Sequence, residues 1–259
     1  MPRTSPLALA LAALLCLPVA AAHADRRHFV QSYTPFTAPA GNLEFEISAL
    51  SASGQGDSSG TAWKNRLELE YAITDRFTGA AYMNFVQPAE WEAPLRFDGP
   101  SLEFIYRFAD PGKAAIVPAA YLEVRANGSE LELEPKLLLA RRDYQLVSVL
   151  NVIGEYEHIG AGPGRGTTEK QLQLTAGASR EVGHVLAIGL EVVYTRRFEG
   201  DGPDPTSLQL GPTINLQTPR IQLALGWQPQ LSGSPATSGR LDLADFPRSE
   251  VRIIVGVSL

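Results

Sequence analysis

The chain carries a single cysteine, Cys16, near its start. Everything downstream is therefore without a disulfide, a thiolate nucleophile or a cysteine-bound metal. Long apolar runs are also missing. After the first two dozen residues, nothing approaches the roughly 18 consecutive apolar residues that a membrane-crossing helix needs. Basic residues are outnumbered, with 22 Lys and Arg against 28 Asp and Glu and a formal net charge of −6. That balance gives no electrostatic footing for nucleic acid. Histidine is scarce as well. None of His28, His158 and His184 has a serine two residues away on one strand face. A serine hydrolase on a lipid-facing wall needs its nucleophile and base within hydrogen-bond reach, so the chain is not expected to be an enzyme. His158 stands near Glu155 and Glu157, but a lone histidine at a loop base reads as polar surface. No metal and no cofactor are expected. The run Gly160–Gly166 (GAGPGRG) lacks a following Gly-Lys-Ser/Thr and precedes a strand, so it reads as an external loop rather than a phosphate cradle.

The first residues form a targeting signal. Arg3 supplies a thin basic region, Leu7 to Leu17 an apolar one, and Ala22-His23-Ala24 a small-residue cleavage site. Residues 1–24 are expected to be a cleaved signal peptide. A membrane anchor is the alternative, but the run is short and interrupted by Pro6 and Pro18. Lipidation at Cys16 is a second alternative, and Leu15 occupies the place where a small residue is wanted. Residues 25–42 are polar and proline-dotted, and are expected to be an extended periplasmic lead-in ending in a turn at Pro39–Asn42.

From Leu43 onward the dominant signal is period two. In RLELEYAI, Leu67, Leu69, Tyr71 and Ile73 share one parity, and Arg66, Glu68 and Glu70 the other. Thr74-Asp75-Arg76 turns the chain, and Phe77 to Phe85 alternates again. The same pattern recurs to Leu259, with hairpin signals between the runs, Asn127-Gly128 the strongest. Connections near Asp75, Pro111, Asp143, Gly183 and Pro219 look tight. Those near Gly56, Glu90, Gly162, Gly202 and Ser234 look long and polar. Outward aromatics fall near both ends of the strands. Short turns at one rim, long loops at the other and two aromatic girdles describe an outer-membrane barrel. The expected fold is an all-β, transmembrane, antiparallel up-and-down barrel over residues 43–259, of about 12 strands, with ten or fourteen as the alternatives. A soluble lipocalin-like barrel is the competing fold, but its narrow interior cannot hold the apolar side chains of so many strands. Pro118, Pro135 and Pro212 fall inside expected strands and mark bulges or misplaced boundaries.

The lead-in YTPFTAPAGNLEFE and the hairpin YAITDRF carry a likeness. Through Tyr33, Pro35, Thr37, Pro39, Gly41 and Tyr71–Phe77 the chain resembles proteobacterial outer-membrane barrels. These include the putative transporters grouped with the MetA-pathway of phenol degradation and related families of unknown function. The resemblance implies location and fold and brings no catalytic residue. The terminal Leu259 departs from the aromatic that such barrels commonly end on.

Charges on the second parity cannot face hydrocarbon, where a basic residue at mid-depth costs about 2–4 kcal/mol. The expected lumen lining is therefore Glu44, Glu46, Arg66, Glu68, Glu70, Glu103, Arg107, Glu123, Arg125, Glu132, Glu134, Lys136, Glu191, Arg197 and Arg252. Its acidic excess suggests a narrow passive channel for small polar or cationic solutes. A salt-bridged, closed barrel acting through its external loops is the second reading, and a lipid-modifying enzyme the third. The expected surroundings are outer-membrane lipid and lipopolysaccharide outside and a small polar solute inside, with the protein a monomer.

Overall fold

The computed structural model describes residues 27–56, 60–90, 93–160, 166–200 and 202–259. They form a closed barrel of twelve antiparallel strands. In chain order these are β1 (Leu43–Ser53), β2 (Thr61–Thr74), β3 (Phe77–Gln87), β4 (Arg96–Arg107), β5 (Val117–Asn127), β6 (Glu130–Asp143), β7 (Leu146–Ile159), β8 (Thr167–Val182), β9 (Leu186–Arg197), β10 (Thr206–Gln217), β11 (Ile221–Ser234) and β12 (Ser249–Ser258). Each strand pairs with its neighbours in sequence. The barrel closes where β12 meets β1, with Glu44 opposite Ser258 and Leu50 opposite Arg252. Closure gives every strand a partner on both sides and leaves no open edge. The expected signal segment 1–24 and the glycine-rich stretch 161–165 lie outside the described residues.

Period two assigns the faces. Leu69, Tyr71, Ile73, Leu102, Phe104 and Tyr106 point outward, each 40–53% exposed. Strand β7 is apolar on both parities in the sequence, and burial settles its facing. Leu146, Leu150, Val152 and Tyr156 are outside, and Val147, Val149 and Ile153 are buried inside. The apolar face thus encircles the barrel, a surface far more continuous than the patches water normally covers.

The connections alternate largely as the sequence indicates, with one clear exception. The link near Pro111 spans residues 108–116, longer than its neighbours at this rim, although a tight turn lies at its centre, where the Lys113 N–H donates to the Asp110 carbonyl at 3.1 Å and Gly112 takes a φ of 82°. The Phe108 N–H donates to the Pro118 carbonyl at 2.9 Å, ending the pairing. Beyond it, Asp110 gathers Arg76, Arg107 and Lys113 at 2.7–3.2 Å into a clasp at this rim. Tyr144 sits in the turn before β7 at a φ of 52° and is 95% exposed. Strand β11 runs on to Ser234, where the sequence reading places a long connection. The three strand prolines sit where ladders break. Pro118 lies past the end of the β4 pairing, Pro135 in an unpaired gap opposite Gly154, and Pro212 in a gap beside the bulge at Leu208/Gln209.

The largest departure concerns the N-terminal segment. The sequence reading places residues 25–42 outside the barrel, whereas residues 28–32 are mostly buried within it. Phe29 packs against Ala140, Val147 and Val149, and Val30 against Ala224 and Ile254. The fit depends on glycines of the inner wall. A Cβ on Gly177 would lie 2.6 Å from the Phe29 ring, and one on Gly226 would collide with Val30. The turn at Pro39–Asn42 forms as expected, with the Asn42 N–H donating to the Pro39 carbonyl at 3.1 Å.

Candidate functional site

The lumen wall of β1–β6 is a lattice of charges fixed by strand register. One row runs Glu44–Glu70–Ala80–Glu103–Glu123–Glu134, each opposite the next across adjacent strands. The row toward the long-loop rim runs Glu46–Glu68–Tyr82–Ser101–Arg125–Glu132–Glu157. Like charges directly opposite repel, so bases must reach in from other positions. Arg66 holds Glu123 through two bonds of 2.8 and 3.2 Å. Arg125 bridges Asp98, Glu132 and Glu157 at 2.6–2.9 Å. Lys136 pairs with Glu134 at 2.7 Å while its ammonium lies 3.8 and 3.7 Å from the ring centres of Tyr33 and Tyr121. Tyr121 donates to Glu103 at 2.7 Å, and Tyr82 donates to the same oxygen.

The wall of β8–β11 is built differently. Its buried inner residues are mostly amides and hydroxyls, among them Thr175, Ser179, Thr213, Asn215 and Gln228. Glu191 is the carboxylate at its centre, and the N-terminal segment bends around it. The N–H groups of Val30 and Ser32 donate to Glu191 at 2.9 and 2.7 Å, with that of Gln31 at 3.2 Å. Arg252 donates to the Val30 carbonyl at 2.9 Å. Asn151 takes the Tyr33 N–H at 2.7 Å and donates back to the Tyr33 carbonyl at 3.0 Å. Near the short-turn rim, Arg107 donates to Thr37 at 3.2 Å.

Toward the long loops a cavity of about 320 Å³ remains. Glu46, Arg66, Glu68, Arg125, Glu132, Glu134, Lys136, Arg197 and Arg252 contribute to its lining. Glu44, Glu70 and Glu103 line a smaller space of about 60 Å³ beneath the N-terminal segment. Glu123, Glu191 and Arg107 are buried on the inner face in the contacts just described. The connection 235–248 folds back over the mouth, where Phe246 is buried and lies 4.8 Å from the Arg197 guanidinium. The sequence reading omits Asn151, Tyr82 and Tyr121, although their inward parity was available. It also omits Arg27 and Tyr33, which became lumen residues only when the lead-in proved to lie inside.

His158 does not join Glu155 and Glu157, because one step along a strand reverses the face. It contacts Thr168 at 3.4 Å. His28 does meet a serine, Ser179, at 3.2 Å, with Glu181 3.6 Å and Arg142 3.2 Å from its other nitrogen. His28, in the N-terminal segment, and Ser179, on the inner face of β8, are each 1% exposed.

Solved structures with this architecture include the COG4313 outer membrane channel from Pseudomonas putida F1. It is 12% identical, with 89% of this chain and 100% of that one covered at a TM-score of 0.61. The NanC porin is 10% identical over 84% of this chain and 100% of its own, at 0.56. The KdgM porin is 10% identical over 83% and 99%, at 0.54. At these identities the likeness is one of fold, that of porin-like outer-membrane barrels. No curated protein matches the sequence. The profile of one family matches residues 21–259. The chain belongs to that family, described as a family of unknown function, DUF6662.

Proposed function

We propose that this chain is a monomeric outer-membrane channel that passively admits small polar or cationic solutes, narrowed by its own N-terminal segment. The observation that carries the reading is the polar cavity of about 320 Å³ inside the barrel, lined by charges of both signs. A barrel of twelve strands falls between small ones filled by side chains and the wide water-filled porins, so a partial filling suits a narrow passage. The similar barrels, a channel and two porins, favour transport. So does the resemblance of Tyr33–Gly41 and Tyr71–Phe77 to putative transporters of the MetA-pathway group. In this reading residues 1–24 are removed on export, the apolar outer face meets lipid, and no catalytic step is involved. His28 and Ser179 serve as an anchor for the segment.

The test is single-channel conductance of refolded mature protein in a planar bilayer, beside a variant lacking residues 25–38. A small ohmic conductance that grows on deletion supports the reading. Silence from both proteins overturns it. That result favours a closed barrel acting through its loops, a reading supported by the burial of Leu243 and Phe246 at the mouth.

A further inference from the structure

Across β1–β4, two pairs of carboxylates face each other directly, Glu44 with Glu70 and Glu46 with Glu68. Gln222 donates to Glu44, and Arg27 stands 3.8 Å from Glu46. Among the described residues, Glu68 and Glu70 have neither a hydrogen bond nor an ion pair within bonding distance. Glu68 is only 6% exposed. Each of Glu68, Glu70 and Glu103 brings a carboxylate oxygen within 4.8 Å of the others. Ala80, the small residue between Glu70 and Glu103 in their row, leaves the gap open. A second observation comes from β3. Thr78 is 2% exposed, and its hydroxyl oxygen has no partner among the described residues. It faces the space of about 60 Å³ that Glu70 and Glu103 also line.

A buried hydroxyl oxygen without a partner is costly, and so are three crowded carboxylates with too little counter-charge, here Arg27 for Glu68 and Glu70 and Lys136 for Glu103. Both costs are relieved by one hard cation. We propose that β2–β4 hold a divalent cation, calcium by chemistry, on Glu68, Glu70 and Glu103 with Thr78 as an additional oxygen ligand. An all-oxygen set without histidine or cysteine selects calcium or magnesium over zinc or copper. Calcium tolerates an irregular set of oxygens, whereas magnesium demands a near-ideal octahedron and keeps most of its waters. The space admits remaining waters, since one water needs only about 10–15 Å³ by the same measure. A second acidic trio, Glu132, Glu134 and Glu155, is equally close. It is already answered by Arg125 at 2.6 Å, Lys136 at 2.7 Å and Gln171 at 2.9 Å, and needs no ion.

The site is testable whether or not the barrel conducts. Full-length mature protein, refolded in detergent and stripped with chelator, would be titrated with terbium under tyrosine excitation. Tyr82 and Tyr121 both bond to Glu103, so a bound ion should emit by energy transfer, and calcium should quench the emission by displacement. Glu68→Gln with Glu70→Gln should weaken binding at least about 10-fold, a loss seen even for changes outside a metal's direct ligands. Glu132→Gln should leave it unchanged. Calcium should also raise the unfolding temperature of the wild type and not of the double variant. The stripped double variant should melt above the stripped wild type, because repulsion is relieved. Thr78→Val, which keeps every carboxylate, should weaken terbium binding if the double variant does not refold. Absent emission in the wild type, or equal affinity in wild type and Thr78→Val, overturns the site.

Discussion

The two walls of the lumen hold the same N-terminal segment by different means. On β1–β6, charge dominates, and the segment meets it through Tyr33 against Lys136 and Thr37 against Arg107. On β8–β12, shape dominates. Gly177 and Gly226 leave sockets for Phe29 and Val30, and one carboxylate, Glu191, collects consecutive backbone N–H groups. The long-loop end of the charged wall faces the larger cavity, whereas the glycine sockets are filled. A wall that must contact water keeps ion pairs exchangeable. A wall that must seat a peptide trades side-chain volume for backbone approach. The contrast predicts that seating is decided on the β8–β12 side and solute preference on the β1–β6 side.

The strongest way to break this division is Glu191→Ala. Truncating one partner of a buried, charge-assisted hydrogen-bond set costs about 2–5 kcal/mol, here drawn from seating the segment. Chymotryptic cleavage after Phe29, Tyr33 or Phe36 should become fast while the barrel keeps its heat-modifiable gel mobility. Unchanged protection would place the anchor on the charged wall instead. Gly226→Ala should act in the same direction by about 1–3 kcal/mol, the cost of overpacking, since its Cβ would displace Val30. An alanine there with no effect on cleavage would mean that the socket is slack.

A smaller effect belongs to the rim of the charged wall. Hydrogen bonding by Arg76, reinforced by Lys113, holds the Asp110 carboxyl down at about 2, from an ordinary value of 3.8. A depressed folded value means the clasp contributes stability above the ordinary value and loses it as pH falls through about 2. Hydrogen-exchange protection in residues 108–116, taken relative to the intrinsic rate at each pH, should therefore fall between about pH 4 and pH 2 in the wild type. Asp110→Asn should show lower protection at neutral pH and no further loss across that window. An equal acid response in the variant would assign the loosening to other carboxylates.

Much of the barrel was legible because strand faces obey a rule of parity. Leu69 and Glu68 differ by one position, and hydrocarbon and lumen differ in what they accept. The strand number followed from turn chemistry at Asp75, Asn127-Gly128 and Pro219. The position of the lead-in did not follow. A short polar segment carries no periodicity, and the decisive partners, Glu191, Gly177 and Gly226, lie more than a hundred residues away in sequence. Phe29-Val30 was the available signal, an apolar pair in an otherwise polar stretch. The charge rows were legible as a set, but which base answers which acid depends on register. Arg66 and Glu123 sit on strands β2 and β5, and no local pattern joins them. Asp-Pro-Gly did mark a tight turn, closed by the Lys113 N–H on the Asp110 carbonyl, but nothing local showed that residues 108–109 and 114–116 would stay outside the strands on either side of it.

The last test concerns solute preference, and its expected effect is the smallest. Glu44, Glu46, Glu68 and Glu70 belong to adjacent strands on the charged wall, and Arg66, the base nearest in register, is committed to Glu123. Their field should favour cations in a conducting lumen, most strongly at low salt. The Debye length falls from about 30 Å at 0.01 M to about 3 Å at 1 M, so the preference should fade across that range. Changing all four to glutamine should shift the zero-current potential under a salt gradient toward zero and leave the barrel folded. A matched change on the opposite wall, Gln209→Glu with Gln173→Glu, should move it the other way, because both side chains line the same cavity. If the four-glutamine variant keeps the wild-type potential while the added glutamates shift it, selectivity is set beside the amide wall. The carboxylates of β1 and β2 would then be neutralised within the wall, and the division between a seating side and a selecting side would not hold.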